Sequence, residues 1–298
     1  MSYNMVRKMQ AVLILAHKDP EQVLNLAKRL SNCFNVYIHF DVKCRVENST
    51  VLQFHKIKNV LIFQSVDVRW GGYSITKAEL LLLKEAMKCP ENRYFHIISG
   101  QDWPILKPEE IYNFYADNEN IYMKYGLAEG VVKSYEPIIL WQKYYFNYDE
   151  MNRRSFYGKI YHRLLMIFHA VRGTDKFRDL DIKETIYQGA NWCDLPRYAV
   201  DYSFQYLDEH PSIREMLKTG FCSDEFIFQT ILCNSVYKNR IVNNNHRFVI
   251  WKKKYNNYPA VLDDEDFPDI HSSGAHFARK FDRKISKNLI NHLDEAER

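Results

Sequence analysis

Two hydrophobic periods succeed each other along this chain. Residues 11–16, AVLILA, form a continuous apolar run of strand length, as expected of a strand covered on both faces. From Pro20 to Leu30 the apolar residues Val23, Leu24, Ala27 and Leu30 recur at helical spacing. Residues 35–40 predict a second strand that ends at Asp41, and 59–63 a third. Ser74 can cap a helix to about Lys88, with Ile75, Ala78, Leu82 and Met87 on its buried side. Residues 94–98 predict a fourth strand, stopped by Ser99-Gly100. This order predicts an α/β layered fold with a mostly parallel central sheet flanked by helices. In such sheets ligands collect outside the carboxyl ends of the strands. His17, Asp41, 69–72 and 99–103 are therefore expected on one rim.

The second half is less regular. A helix is predicted over 108–117, a strand over 121–125 and a helix over 153–171. A strand follows over 185–192, leading to Pro196, where another helix starts. A further helix is expected from Ser223-Asp224-Glu225 to Asn234. With no repeat and no Gly/Ser linker, the expectation is one domain over 1–298, with 1–125 mainly nucleotide-binding and 126–298 mainly acceptor and catalytic.

Composition narrows the classes. The 298 residues are 46% hydrophobic and 26% charged, which excludes a disordered chain or a coiled coil. A net charge of +4 is too small to argue for nucleic acid. Aromatic residues reach 15%, with 21 Tyr, and such side chains suit sugar rings and membrane interfaces as well as cores. No apolar segment is long enough to span a membrane. The start carries no signal-peptide cleavage pattern, and the six cysteines form no CxxC pair; a reduced, cytoplasmic protein is expected.

Dinucleotide, P-loop, HExxH and GxSxG motifs are absent from the sequence. Four segments carry candidate chemistry, each with a structural alternative. Arg69-Trp70-Gly71-Gly72-Tyr73-Ser74 can bring backbone close to a ligand, or simply make a loop and a cap. In Ser99-Gly100-Gln101-Asp102-Trp103-Pro104 a carboxylate beside an indole can bind a sugar, or cap a turn and anchor the core. Asp224-Glu225 can supply a general base, or complement a helix start. Arg279-Lys280, between aromatics in a helix or loop, can clamp a diphosphate or form surface ion pairs. The run Asp263-Asp264-Glu265-Asp266 reads as a solvated acidic loop in preference to a cation site. Basic residues among the aromatic and aliphatic ones of 153–173 allow contact with a membrane surface.

Taken in order, AVLILAHKDP, IHFD (38–41), VRWGGYSITKAEL (68–80), YFHIISGQDWPI (94–105), GANWCDLPRYAV (189–200), CSDEF (222–226) and HFARKFD (276–282) resemble the core-2/I-branching β-1,6-N-acetylglucosaminyltransferases, a family that includes the peptide O-xylosyltransferases. The resemblance implies a GT-A-type fold, a UDP-sugar donor (UDP-GlcNAc or UDP-xylose), inversion at the anomeric carbon, and no metal or other cofactor. It implies Glu225 as catalytic base, and His17, Asp41, Arg69, Gly72, Ser74, Asp102, Arg279 and Lys280 on the donor. Trp103, Trp192 and Asp224 are then candidates for a glycan or lipid-linked glycan acceptor, with Trp70 also available for stacking. The family's Arg ahead of the last motif has no match over 255–261, which leaves Lys252, Lys253 or Lys254 as substitutes. The chain resembles a soluble bacterial member, cytoplasmic or peripheral at the inner membrane face. A non-catalytic sugar-binding protein and a two-carboxylate glycoside hydrolase stay open at this point.

Overall fold

A computed structural model describes residues 9–296. The chain forms two compact units: unit 1 comprises 1–65, 82–119 and 244–298, and unit 2 comprises 66–81 and 120–243.

In unit 1, strands β1 (Met9–Ala16), β2 (Asn35–Phe40), β3 (Val60–Phe63) and β4 (Asn92–Ser99) pair in parallel in the order β4-β1-β2-β3. Their apolar runs are covered on both faces: Ala11 to Ile14 and Val36 to Ile38 are all buried. Helix α1 (Pro20–Leu30) crosses from β1 to β2. Asp19 caps it by accepting from the Gln22 amide at 3.2 Å, Pro20 fills its first turn, and Lys28 and Arg29 lie at its negative end. Helix α2 (Asn48–His55) connects β2 to β3 and buries Phe54. A second, three-stranded sheet joins β5 (Asp102–Pro104), β11 (Arg247–Val249) and β12 (Phe277–Arg279). In it β12 is central, parallel to β11 and antiparallel to β5. Helices α4 (Pro108–Tyr115), α11 (Phe267–Ser272) and α12 (Lys287–Ala296) complete the unit. Helix α3 (Ser74–Met87) begins in unit 2 and ends in unit 1.

In unit 2, β6 (Ile121–Leu127) lies between β9 (Tyr187–Pro196), antiparallel, and β10 (Ile241–Val242), parallel. Strands β7 (Val132–Lys133) and β8 (Glu136–Pro137) form a hairpin. Its two linking residues, Ser134 and Tyr135, take φ of 51° and 67°, matching the left-handed pair of a type I′ turn. Helices α5 (Leu140–Lys143), α6 (Phe156–Arg172), α7 (Lys176–Asp179), α8 (Arg197–Glu209), α9 (Pro211–Lys218) and α10 (Ile227–Cys233) complete it. Among the described residues no helix is long and apolar enough to cross a membrane.

The α/β class and the mostly parallel arrangement expected from the apolar runs are present. Two local expectations are corrected. Residues 277–279 form neither a helix nor a loop but the strand β12. The helix expected over 223–234 is broken: Ser223–Glu225 is a single 3-10 turn, Phe226 leaves helical geometry at φ −125°, and α10 starts afterwards. Helices α2, α5, α7, α9, α11 and α12 lie outside the expected elements; the polar residues of 48–55 and the shortness of 211–218, for example, hide the apolar faces of α2 and α9.

Lys176 is fully enclosed in unit 2. Its Nζ donates to Met216 O at 3.0 Å and Thr219 Oγ1 at 3.1 Å, and burial lowers its pKa to about 7. Between that value and the ordinary lysine pKa the unfolded chain holds a proton that the folded chain has lost, so this group adds stability as pH rises. Melting curves from about pH 7 to pH 10 test this. Wild type is expected to gain stability relative to Lys176→Met across that window, and parallel profiles would contradict the assignment.

Candidate functional site

The expected residues of unit 1 gather at the carboxyl ends of its parallel strands. Ala16 and Phe40 are register partners at the ends of β1 and β2, and the next residues are His17 and Asp41. The Asp41 amide donates to Ala16 O at 2.8 Å. The Asp41 carboxylate is buried and meets Lys43 Nζ at 2.9 Å. The side chain of His17 reaches solvent, yet surrounding protein strips enough water from the ring to lower its pKa. The charges of Lys18, Lys280 and Arg279 add to this, and Asp41 opposes it. His17 is thus a neutral hydrogen-bonding group at neutral pH, beside cations.

Lys18 follows β1 itself, and the other two cations come from the end of β12. Arg279 is buried and opposite Asp102 in register; its Nε lies 3.4 Å from Asp102 Oδ1. Burial pushes the Arg279 pKa down, with Asp102 opposing and Arg247 on the neighbouring strand adding to the fall. Asp102 also accepts from the Ser99 amide at 2.5 Å, closing the loop after β4. The next residue, Lys280, is half-buried. Its backbone is fixed on both sides, by its amide to Ala260 O (3.1 Å) and by the Leu262 amide to its carbonyl (2.8 Å). Gln22, which sequence reasoning missed, donates to both Gly100 O and Phe281 O at 3.0 Å, so α1 ties the β4 loop to the segment carrying Lys280.

Lys254 does not stand beside Lys280 as a spare cation. Its Nζ sits 2.8 Å from Asp263 and 2.9 Å from Asp266, and these hydrogen bonds outweigh partial burial and push its pKa up to about 12. Tyr255 Oη adds a bond to Asp263 at 2.6 Å, and Asp263 caps the turn that follows. The acidic run is therefore engaged with the protein's own donors. Trp103 is buried against Phe281 and lines a cavity of about 430 Å³ with Gln22, Asn25, Arg29 and residues of α12.

In unit 2 the acids concentrate around the 3-10 turn Ser223–Glu225. Glu225 is partly exposed and pairs with Lys133 of β7 at 2.8 Å. Asp224 is 6% exposed, and its Oδ1 has no hydrogen-bond partner among the described residues. Burial first, then the Glu225 charge, raise its pKa to about 7. Glu79 of α3, 1% exposed, accepts from Asn191 Nδ2 at 3.3 Å. Its pKa is driven well above the carboxylate range by burial and by Asp224. Two of the three carboxyls are thus held toward the protonated form. Trp192 is half-buried on β9, next to Asn191. Sequence reasoning missed both Glu79, whose signal was its place beside Ala78 in a helix with a buried side, and Lys133, which carried none.

The segment 69–74 closes on its own unit. Ser74 Oγ accepts from the Arg69 amide at 2.8 Å, and the Ser74 amide donates to Asp149 at 3.0 Å. Arg69 pairs with Asp67 at 2.8 Å. A Cβ at Gly72 would lie 2.1 Å from Asp149 Oδ1; one at Gly71 (φ 80°) would lie 2.2 Å from Phe221. The close approaches these glycines permit are therefore to the protein's own side chains. Trp70 remains exposed, with the Arg154 guanidinium 4.4 Å from its ring centroid.

The profile of the Core-2/I-Branching enzyme family matches residues 12–271, a stretch that ends before Lys280. The β-glucuronosyltransferase GlcAT14A of Arabidopsis thaliana is 23% identical over 95% of this chain and 61% of its own length. The β-glucuronosyltransferase GlcAT14B of the same plant is 35% identical over 35% of this chain and 26% of its own length. The chain thus spans less than two thirds of either relative. Core-mannan synthase A from Aspergillus fumigatus superposes on 81% of this chain and 73% of its own at 9% identity, with a TM-score of 0.39. On the family match, which covers most of its length, the chain belongs to the Core-2/I-Branching enzyme family, a family of glycosyltransferases.

Proposed function

We propose that the chain transfers a sugar from a UDP-sugar to a hydroxyl of a glycan acceptor, with inversion and without a metal ion. The donor sugar is GlcNAc or xylose on the motif resemblance, and the names of the plant relatives add glucuronic acid to the set to be screened. Glu225 is the general base. Lys280, set beside the buried Arg279, stabilises the departing diphosphate in place of a cation. His17 and Asp41, at the carboxyl ends of β1 and β2, are the uridine contacts. The observation that carries the reading is the arrangement at Glu225. It is the carboxylate of its group that reaches solvent, its neighbours Asp224 and Glu79 being buried, and it is paired with a single lysine. An acceptor hydroxyl can reach it, and Lys133 can hold it in one orientation until an acceptor arrives.

Three measurements test this. Glu225→Gln is expected to keep donor affinity in calorimetry and to lose transfer by about 10²–10⁴-fold; normal turnover would remove Glu225 from the role. Lys280→Ala is expected to lower transfer by about 10²-fold, and wild type is expected to work in excess EDTA; an absolute requirement for Mn²⁺ would overturn the charge assignment. The third concerns Asp224. With its pKa raised from the ordinary range to about 7, the folded state holds a proton that the unfolded state has lost over that interval. The contribution of Asp224 to stability is therefore present at acid pH and lost as pH rises through about 7. Melting curves should show Asp224→Asn gaining on wild type between about pH 4 and pH 8; a constant difference would contradict the assignment.

A further inference from the structure

Helix α6 (Phe156–Arg172) in unit 2 is mounted with its apolar side outward. Rotating each residue by about 100° along the helix places Phe156, Ile160, Leu164, Ile167, Phe168 and Val171 within an arc of about 120°. Tyr157 falls inside the same arc. In a globular protein that stripe faces the core; here these residues are 44% to 85% exposed. The face turned inward carries Gly158, His162 and His169. Its contacts are polar and close. His162 Nε2 bonds to Glu136 at 2.8 Å, and its Nδ1 bonds to the Tyr148 hydroxyl. His169 bonds to Tyr145 O at 2.9 Å and Thr174 Oγ1 at 3.1 Å. A Cβ at Gly158 would come 2.0 Å from Asn152 O, so the helix cannot simply roll over and bury its apolar side. Ser155 caps its start and Gly173, at φ 65°, ends it, so the helix is locally complete.

Charge selects the occupant of this face. Residues 151–174 contain five Lys and Arg and no Asp or Glu. Arg163 and Arg172 lie on opposite flanks of the apolar arc, where long cationic side chains can reach headgroups while the stripe enters the acyl boundary. A second copy docked face to face would set these basic flanks against each other, since an isologous contact pairs a patch with itself. We propose that α6 lies in the plane of an anionic lipid bilayer, apolar side inserted, and holds the protein at that surface. The inference rests on the exposed face and not on the transfer reading, and its readout is binding alone.

The test is vesicle co-sedimentation of the full chain. Vesicles of phosphatidylcholine alone are compared with roughly three-to-one mixtures with phosphatidylglycerol. Wild type is expected to pellet with the anionic vesicles at least tenfold better than with the neutral ones. Raising salt from about 0.1 M to about 1 M, which shortens the screening length from about 10 Å to about 3 Å, should weaken binding. Leu164→Glu with Ile167→Glu should abolish pelleting while melting as wild type does. Lys159→Ser with Arg163→Ser, which leaves the apolar stripe whole, should lose the preference for anionic lipid. Failure of wild type to pellet overturns the proposal, as does undiminished binding by either variant. A wild-type dimer in sedimentation velocity that Leu164→Glu dissociates and vesicles do not overturns it in favour of a second copy.

Discussion

Three carboxyl groups packed around one turn of unit 2 cannot all be charged when two of them, Glu79 and Asp224, are buried. Leaving both ionised without partners would cost several kcal/mol each. The protein meets this constraint by proton uptake: burial lifts Glu79 well out of the carboxylate range and Asp224 to about 7. The charge that remains belongs to Glu225, the acid that reaches solvent, and Lys133 pairs with it at 2.8 Å. A reactive carboxylate is thereby isolated from two neighbours of the same kind. Cys222, at the left-handed corner before the turn, is buried too, and its thiol is pushed well up by burial and by the charges of Glu225 and Asp224.

The β7–β8 hairpin links this group to the outward-facing helix. Lys133 on one strand holds Glu225, while Glu136 on the other accepts from His162 of α6 and from Trp141 Nε1. Burial raises the Glu136 pKa, but the hydrogen bonds from His162 and Trp141 outweigh it and bring Glu136 below the ordinary carboxylate range. Two strands of two residues thus touch both the acid and the inner face of α6. In unit 1 the corresponding constraint is the buried pair Arg279–Asp102, whose register between β12 and β5 sets where Lys280 begins.

The parallel core was plain in the sequence. Runs such as AVLIL read as strands buried on both sides, and α1 announces itself by Asp19, Pro20 and a basic last turn. The site was legible where a motif fell at a strand end, as His17 and Asp41 do. It was not legible where tertiary context overrode local pattern. Ala278 and Arg279 form a central strand because β5 and β11 flank them, not because three residues prefer extended geometry. The 3-10 turn at Glu225 ends because Phe226 leaves helical geometry, although Ser-Asp-Glu reads as a helix start. The Ser134-Tyr135 hairpin lacks the Asn-Gly or Asp-Gly that would have revealed it. Lys133, and with it the ion pair on Glu225, stayed hidden for that reason. The amphipathic pattern of α6 was visible, but its outward orientation depends on His162 and His169 finding polar partners across the unit.

The base assignment is tested most directly by anion rescue of Glu225→Ala, followed by magnetic resonance of the product. Azide needs no deprotonation, so it can attack the donor sugar where an alcohol no longer can. The account predicts that azide restores UDP release from an α-linked UDP-sugar donor and that the product is the β-glycosyl azide. A variant that still binds UDP yet releases none at any azide concentration, or that yields the α-azide, would contradict it.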